Sequence, residues 1–181
     1  IISYLFSLSL NYVPSCIPNI EGCTSISRTG RNYPVNIFFK SFLFLTGFFV
    51  FFYWFQNYNY FKKYKFTLIN YGFLLSTISI IFLFLYLIFL GESSYYKFFR
   101  KVGIFIYILF SIISELFLSI IYYKNIKKNK FFIKLKLYLS IIIIFLAIFL
   151  FPLMVMKINN ISELRNIISW NYFLLIQLNF L

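Results

Sequence analysis

The side chains best suited to binding chemistry lie in one short polar stretch, Ser27-Arg28-Thr29-Gly30-Arg31, written SRTGR. Guanidinium groups are always charged and match phosphate oxygens in a two-pronged geometry, while hydroxyls and loop amides add further donors. The stretch is therefore a candidate binding site for a lipid phosphate headgroup. The same residues also fit an ordinary turn, in which the hydroxyls satisfy backbone groups, Gly30 permits a positive φ and the arginines anchor the chain at a membrane surface.

Glu115 is a second candidate, because it stands in the middle of the apolar run SIISELFLSII. An ionisable group at membrane depth is costly and by default indicates function, here proton chemistry or ion passage. The alternative is a protonated carboxyl that bonds to a helix neighbour, such as Asn70 or a serine, and holds the helices together. Both interpretations of these intramembrane polar residues stay open at this point.

The two cysteines, Cys16 and Cys23, flank six residues of one polar segment. Their short spacing favours a disulfide in an oxidising compartment, with two small apolar fillers as the alternative. The chain has no His and no Asp, and its only acids are four glutamates. A His-based zinc site and any Ser-His-Asp or Cys-His apparatus are therefore excluded. We assign no catalytic residue, no metal site and no cofactor.

The composition determines which elements can position these residues. The chain of 181 residues is 62% hydrophobic and 12% charged, with a mean hydropathy of +0.87. A soluble domain of this size would have too little polar surface, whereas apolar runs of about twenty residues are typical of transmembrane helices. We predict an all-α membrane protein forming a six-helix transmembrane bundle. Its spans are expected at about residues 1–13, 36–58, 66–90, 102–123, 137–156 and 167–181, of which the first and last look truncated.

The charge pattern predicts the orientation of this bundle. Three lysines lie between residues 59 and 65 and six between 124 and 136. The positive-inside rule places these two segments in the cytosol and the proline-punctuated loop 14–35 on the lumenal or outer side. Because the basic residues lie between apolar spans, the net charge of +13 does not indicate nucleic-acid binding.

In this topology the first lumenal loop resembles that of the Frag1/DRAM/Sfk1 family, which includes the N-terminal domain of CWH43-type proteins. The text ISRTGRNYPVNIFFK carries the resemblance, at Ile26, Ser27, Thr29, Gly30, Pro34 and Phe38. Arg28 stands where the family usually has an acid. Asn70 matches an Asn at the start of the third helix, and Trp170 matches an aromatic position that opens the sixth.

The resemblance implies a role in GPI-anchor lipid remodelling, lysosomal and autophagy membranes or plasma-membrane phospholipid organisation. We therefore expect a non-catalytic integral membrane protein of the endoplasmic reticulum or Golgi, the endolysosome or the plasma membrane. Its expected partners are membrane lipids or GPI-anchored proteins, with no particular oligomeric state predicted. The alternatives are a lipid-modifying enzyme of GPI-anchor remodelling or a small transporter that uses Glu115. So few ionisable groups make a proton shuttle hard to build, which favours the non-catalytic function.

Overall fold

The computed structural model describes residues 2–64, 67–90, 96–125, 130–155 and 162–180. These residues form eight helices, and no strand occurs among them. The helices are α1 (Ile2–Ser9), α2 (Pro18–Glu21), α3 (Ile26–Thr29), α4 (Val35–Lys62), α5 (Thr67–Ile88), α6 (Tyr96–Asn125), α7 (Lys130–Val155) and α8 (Ser162–Phe180). The all-α fold expected from the sequence is therefore confirmed for the described residues.

Four of these helices are long and apolar enough to cross a bilayer. They are α4, α5, the Val102–Asn125 part of α6 and the Lys130–Phe149 part of α7. At 1.5 Å per residue, each covers the hydrocarbon thickness of about 30 Å. α1 is shorter and α8 less apolar, so neither meets the same criterion within the described residues. The integral membrane character is supported, while six spans remain a prediction.

The helix boundaries differ from the predicted spans at the lysine-rich end of the bundle. α4 continues through Lys62, where the sequence predicts loop from residue 59, and α7 begins at Lys130, seven residues before the predicted span. Lysine stems are aliphatic and can lie along a helix while the ammonium groups reach water, so lysines do not end a helix. Residues 65–66 and 126–129 of these predicted loops lie outside the described residues.

The polar loop 14–35 contains two four-residue helices, although its prolines lead one to expect none. α2 begins at Pro18, in the first turn, where the missing N–H of proline needs no helical partner. Gly22 ends α2 with φ +66°, and its N–H donates to the Pro18 carbonyl. A left-handed residue at this position is the usual glycine C-terminus of a helix.

α6 lies at the centre of the bundle, where it packs on α5, α7 and α8, and α4 packs on α5. Two apolar clusters fill the α4–α5–α6 layer, one near each end. The cluster nearer the loop is Phe39, Leu83, Tyr86, Leu87, Leu90 and Tyr107, and the cluster nearer the lysines is Trp54, Phe61, Ile69, Leu118 and Ile121. A third cluster, Ile112, Ile143, Tyr172 and Ile176, joins α6, α7 and α8. These contacts give both candidate sites a rigid frame.

Candidate functional site

The polar loop is fixed along α8 by side-chain donors that reach its backbone. Trp170 Nε1 donates to the Thr24 carbonyl at 2.9 Å, and Asn166 Nδ2 donates to the Gly22 carbonyl at 2.7 Å. Both carbonyls would otherwise lie against the bundle without a partner, and burying an unpaired carbonyl costs about 1–3 kcal/mol. Trp170, which the sequence predicts at the opening of the last helix, lies near the middle of α8 because α8 begins at Ser162, and there it clamps the loop.

α1 holds the same loop from the other side. The Tyr4 hydroxyl donates to the Cys16 carbonyl at 2.6 Å, while the Cys16 N–H donates to that hydroxyl at 3.0 Å. Cys16 and Cys23 are joined by a disulfide, so the segment between them is closed on itself. Tyr4 also meets Trp170 edge to face, with ring centroids 6.4 Å apart. The loop is thus held between α1 and α8 by hydrogen bonds, while the disulfide closes the loop and the Tyr4–Trp170 contact joins the two helices.

Within the SRTGR stretch, Thr29 and Gly30 are buried and hold the turn in place. The Thr29 hydroxyl donates to the Ile26 carbonyl at 2.7 Å, and the Thr29 carbonyl accepts from Ser7 Oγ on α1 at 2.9 Å. Gly30 has φ −109°, so the turn does not use the positive φ that glycine permits. Glycine is needed for a different reason, because a Cβ at this position would overlap the ring of Phe39.

The two arginines lie on the outside of this turn. Arg28, in α3, and Arg31, just after it, are both exposed, and Ser27 is half-buried with Oγ 3.4 Å from Ser25 Oγ. Four of the five predicted residues therefore form an internal pair that maintains the turn and an external pair of cations, and the half-buried Ser27 belongs to neither pair. Such an arrangement can bind an anion at the protein surface.

Glu115 lies on α6 with 1% of its side chain exposed, and its partner is not the one expected. Asn70 is exposed in the first turn of α5, so it is not the buried partner that the sequence suggests. Instead, Lys136 Nζ on α7 lies 3.3 Å from Glu115 Oε2 and donates to the Tyr53 hydroxyl on α4 at 3.2 Å. This pair is not predictable from the sequence, because the charge pattern places Lys136 in the loop 124–136. In the structure α7 begins at Lys130, six residues before Lys136.

Further polar contacts surround this ion pair. On one side, the Tyr122 hydroxyl donates to Asn57 Oδ1 at 2.5 Å. On the other side, Ser140 Oγ lies 3.4 Å from Ser119 Oγ and 3.2 Å from Asn179 Oδ1.

Together with Glu115, Lys136 and Tyr53, these residues form a polar junction that links α4, α6, α7 and α8. Buried side-chain polar contacts between spans act mainly as interhelical glue, at about 0.6–2 kcal/mol each.

The sequence does not single out most members of this polar junction. The Asn, Ser and Tyr residues are common types scattered over four helices, and only their packing brings them together. Besides Glu115, only Lys136 carries a signal, because it lies between Leu135 and Leu137 at the edge of an apolar run. Among the described residues, no group of three or more His, Cys, Asp or Glu side chains could hold a metal ion.

Of three comparisons with known proteins, the one with family models agrees with the sequence resemblance. Searches of curated proteins and of solved structures found no significant match. The model of the family described as Frag1/DRAM/Sfk1/Cwh43P N-terminal domain matches residues 1–178, a range that includes the loop, the disulfide and the polar junction. Since that match covers nearly all of a chain whose described part is a bundle of apolar helices, the chain belongs to the Frag1/DRAM/Sfk1/Cwh43P N-terminal domain family.

Proposed function

We propose that this protein is a non-catalytic membrane protein that binds the phosphodiester headgroup of a membrane phospholipid or a GPI anchor. The binding surface is the pair Arg28 and Arg31, on the lumenal face of a secretory or endolysosomal membrane. One observation carries the proposal: the two cations are exposed on a turn whose other residues are held in place by the bundle.

Preorganisation of the turn supports binding rather than simple anchoring. The turn rests on Phe39 through Gly30 and on α1 through the Ser7–Thr29 hydrogen bond. The disulfide closes the neighbouring segment from Cys16 to Cys23. Hydrogen bonds hold that segment to α1 and α8. A ligand that binds a preorganised turn loses less affinity to the ordering of the backbone. A flexible membrane anchor needs no such support.

The surroundings of the turn also fit a headgroup site. The transmembrane helix α4 begins at Val35, only four residues after Arg31. Tyr33 is exposed between Arg31 and the start of α4, and its carbonyl accepts from the Tyr12 hydroxyl at 2.9 Å. Phe38 is exposed in the first turn of α4. Aromatic side chains with one polar end are enriched at the level of lipid headgroups. The guanidinium groups would then lie where lipid phosphates are found.

The polar junction gives less support to the functions that depend on Glu115. An acid that carries protons or ions must exchange its partner, whereas Glu115 is paired with Lys136 inside the bundle. A structural role for this carboxylate is consistent with a lipid-binding protein that performs no chemistry.

Binding of a short-chain, water-soluble phosphatidylinositol by purified protein tests the proposal. Each charge-assisted hydrogen bond contributes about 1.5–3 kcal/mol, so the change Arg28→Gln with Arg31→Gln should weaken binding by about tenfold or more. Arg28→Lys with Arg31→Lys should recover part of the loss, since it keeps the charges but not the two-pronged geometry. A GPI-anchored protein tested against the same variants shows whether the two ligand sources share the site.

The matched control is Lys62→Gln with Lys63→Gln, which removes two exposed charges at the other end of the bundle. Phosphatidylinositol is anionic and can also contact exposed lysines, so the control is read with a photoreactive short-chain phosphatidylinositol. Cross-linking to loop residues 26–33 should stay unchanged in the lysine variant and fall in the arginine variant. Equal affinities of wild type and the double arginine variant, at equal thermal stability, would show that the loop only covers the bundle.

A further inference from the structure

We propose that the lysine-rich end of the bundle is a binding surface for anionic phospholipids of the membrane leaflet that it faces. This surface, the lysine platform, consists of five exposed lysines on or next to three helices: Lys62, Lys63, Lys124, Lys130 and Lys134. It lies at the opposite end of α4 from Arg28 and Arg31, and it does not depend on the headgroup site proposed for the loop.

The helix packing brings the lysines of the platform to one end of the molecule. α4 and α6 end there, and α7 begins there. The rings of Phe61 and Tyr122 meet edge to face with centroids 5.1 Å apart, so the last turns of α4 and α6 are neighbours. The Lys136–Tyr53 hydrogen bond joins α7 to α4 about two helical turns inside this end, so the start of α7 lies near the end of α4. Lysines that are far apart in the sequence therefore form one charged surface.

The charge of the platform is not balanced by the protein itself. The two segments 59–65 and 124–136 hold nine lysines and no acid. The nearest acid on the described helices that reach this end is Glu115, which is buried and already paired with Lys136. Like charges held close together repel each other, and an anionic surface relieves that repulsion. The platform is thus complementary to an acidic partner.

The aromatic side chains around the platform identify this partner as a membrane. Exposed rings lie in or just after the last turn of α4, in the last turn of α6 and in the first turn of α7, at Tyr60, Tyr64, Tyr123, Phe131 and Phe132. Phe131 and Phe132 are among the most exposed large apolar residues, at 74% and 67%, and they lie between Lys130 and Lys134. Alternating basic and aromatic residues next to a span match the boundary between headgroups and acyl chains, where both groups are stabilised. These rings lie at the ends of helices that can cross a bilayer, so lipid headgroups and acyl chains are what surrounds them.

Photo-crosslinking in nanodiscs tests this inference with a defined probe. The probe is a phosphatidylserine with a diazirine near its headgroup, and mass spectrometry locates the labelled residues. Labelling at residues 60–64 and 123–134 should exceed that by the matching phosphatidylcholine probe and should fall at high salt. Because each juxtamembrane lysine is worth about fivefold in binding to an anionic leaflet, Lys62→Gln/Lys63→Gln/Lys124→Gln should reduce this labelling by at least about fivefold.

Control variants separate the platform from the loop and from topology. Arg28→Gln/Arg31→Gln should leave labelling of the platform unchanged, so a failure of the headgroup proposal would not affect this result. Both leaflets of the nanodisc carry the probe, so the orientation of the protein does not influence the measurement. Equal labelling by the serine and choline probes, or labelling that persists in a folded triple lysine variant, would overturn the inference and leave these lysines a role in topology alone.

Discussion

The ammonium group of Lys136 on α7 lies 3.3 Å from the carboxylate of Glu115 on α6, and it also donates to the hydroxyl of Tyr53 on α4. One lysine therefore connects three helices within the apolar part of the bundle. The two partners differ in exposure, since 22% of the Lys136 side chain is accessible but only 1% of the Glu115 side chain. This difference determines how each should respond to loss of the other.

We predict that Lys136→Met destabilises the protein far more than Glu115→Gln does. Without Lys136, Glu115 is a buried carboxylate without a counter-charge, which costs about 3–5 kcal/mol. Without the charge of Glu115, the long side chain of Lys136 can extend toward Lys130 at the start of α7 and place its ammonium group in the headgroup region. Thermal unfolding in detergent should therefore give a Tm near that of wild type for Glu115→Gln and a clearly lower Tm for Lys136→Met.

The double variant Glu115→Gln/Lys136→Met completes this cycle. Removing both charges leaves no uncompensated group, so most of the stability lost in Lys136→Met should return. Strictly additive changes in Tm would mean that the two side chains do not interact. If folded Glu115→Gln protein also lost its function, Glu115 would be a proton or ion carrier rather than a structural group.

A second prediction concerns the close contact between Gly30 and Phe39. Gly30→Ala should loosen the SRTGR turn, because the added methyl group would overlap the Phe39 ring. Overpacking of this kind costs about 1–3 kcal/mol. Limited proteolysis of the loop measures the effect. Adding Phe39→Leu makes room for the methyl group and should restore resistance, whereas equal sensitivity of Gly30→Ala and wild type would show that the contact does not constrain the turn.

A third prediction concerns the disulfide between Cys16 and Cys23. Mass spectrometry of unreduced protein should find the two peptides linked. The substitution of both cysteines by Ala should cost about 2–3 kcal/mol, since the bond closes a short loop in the unfolded chain. The loop should then exchange its amide hydrogens faster around Thr24, whose carbonyl accepts from Trp170. Two freely alkylated thiols in fresh material would contradict the prediction.

A fourth prediction is the orientation in the membrane. A single added cysteine at position 28 or 31 should react with a membrane-impermeant reagent outside intact cells that display the protein at the surface. Cysteines introduced in place of Lys62 or Lys128 should react only after permeabilisation, because the positive-inside rule places these segments in the cytosol. External labelling of Lys128→Cys would reverse the predicted topology.

Local information in the sequence was sufficient for the fold class and the family. Apolar runs long enough to span a bilayer predict the helices one at a time, and the ISRTGR text lies in a single loop. The helix ends were less predictable. Lys62 and Lys130 are both helical, because a lysine can remain in a helix and still place its charge in water.

Composition, apolar runs and one loop motif are enough to identify an all-α membrane protein of the Frag1/DRAM/Sfk1/Cwh43P N-terminal domain family, with two arginines in a polar loop and one acid within a span. The pairing of Lys136 with Glu115 and the clamping of the loop by Tyr4 and Trp170 become visible only in the folded bundle. Composition and apolar run length are properties of each segment alone. Which polar side chains meet depends on how each helix is rotated and shifted against its neighbours, and packing across the whole bundle sets that rotation.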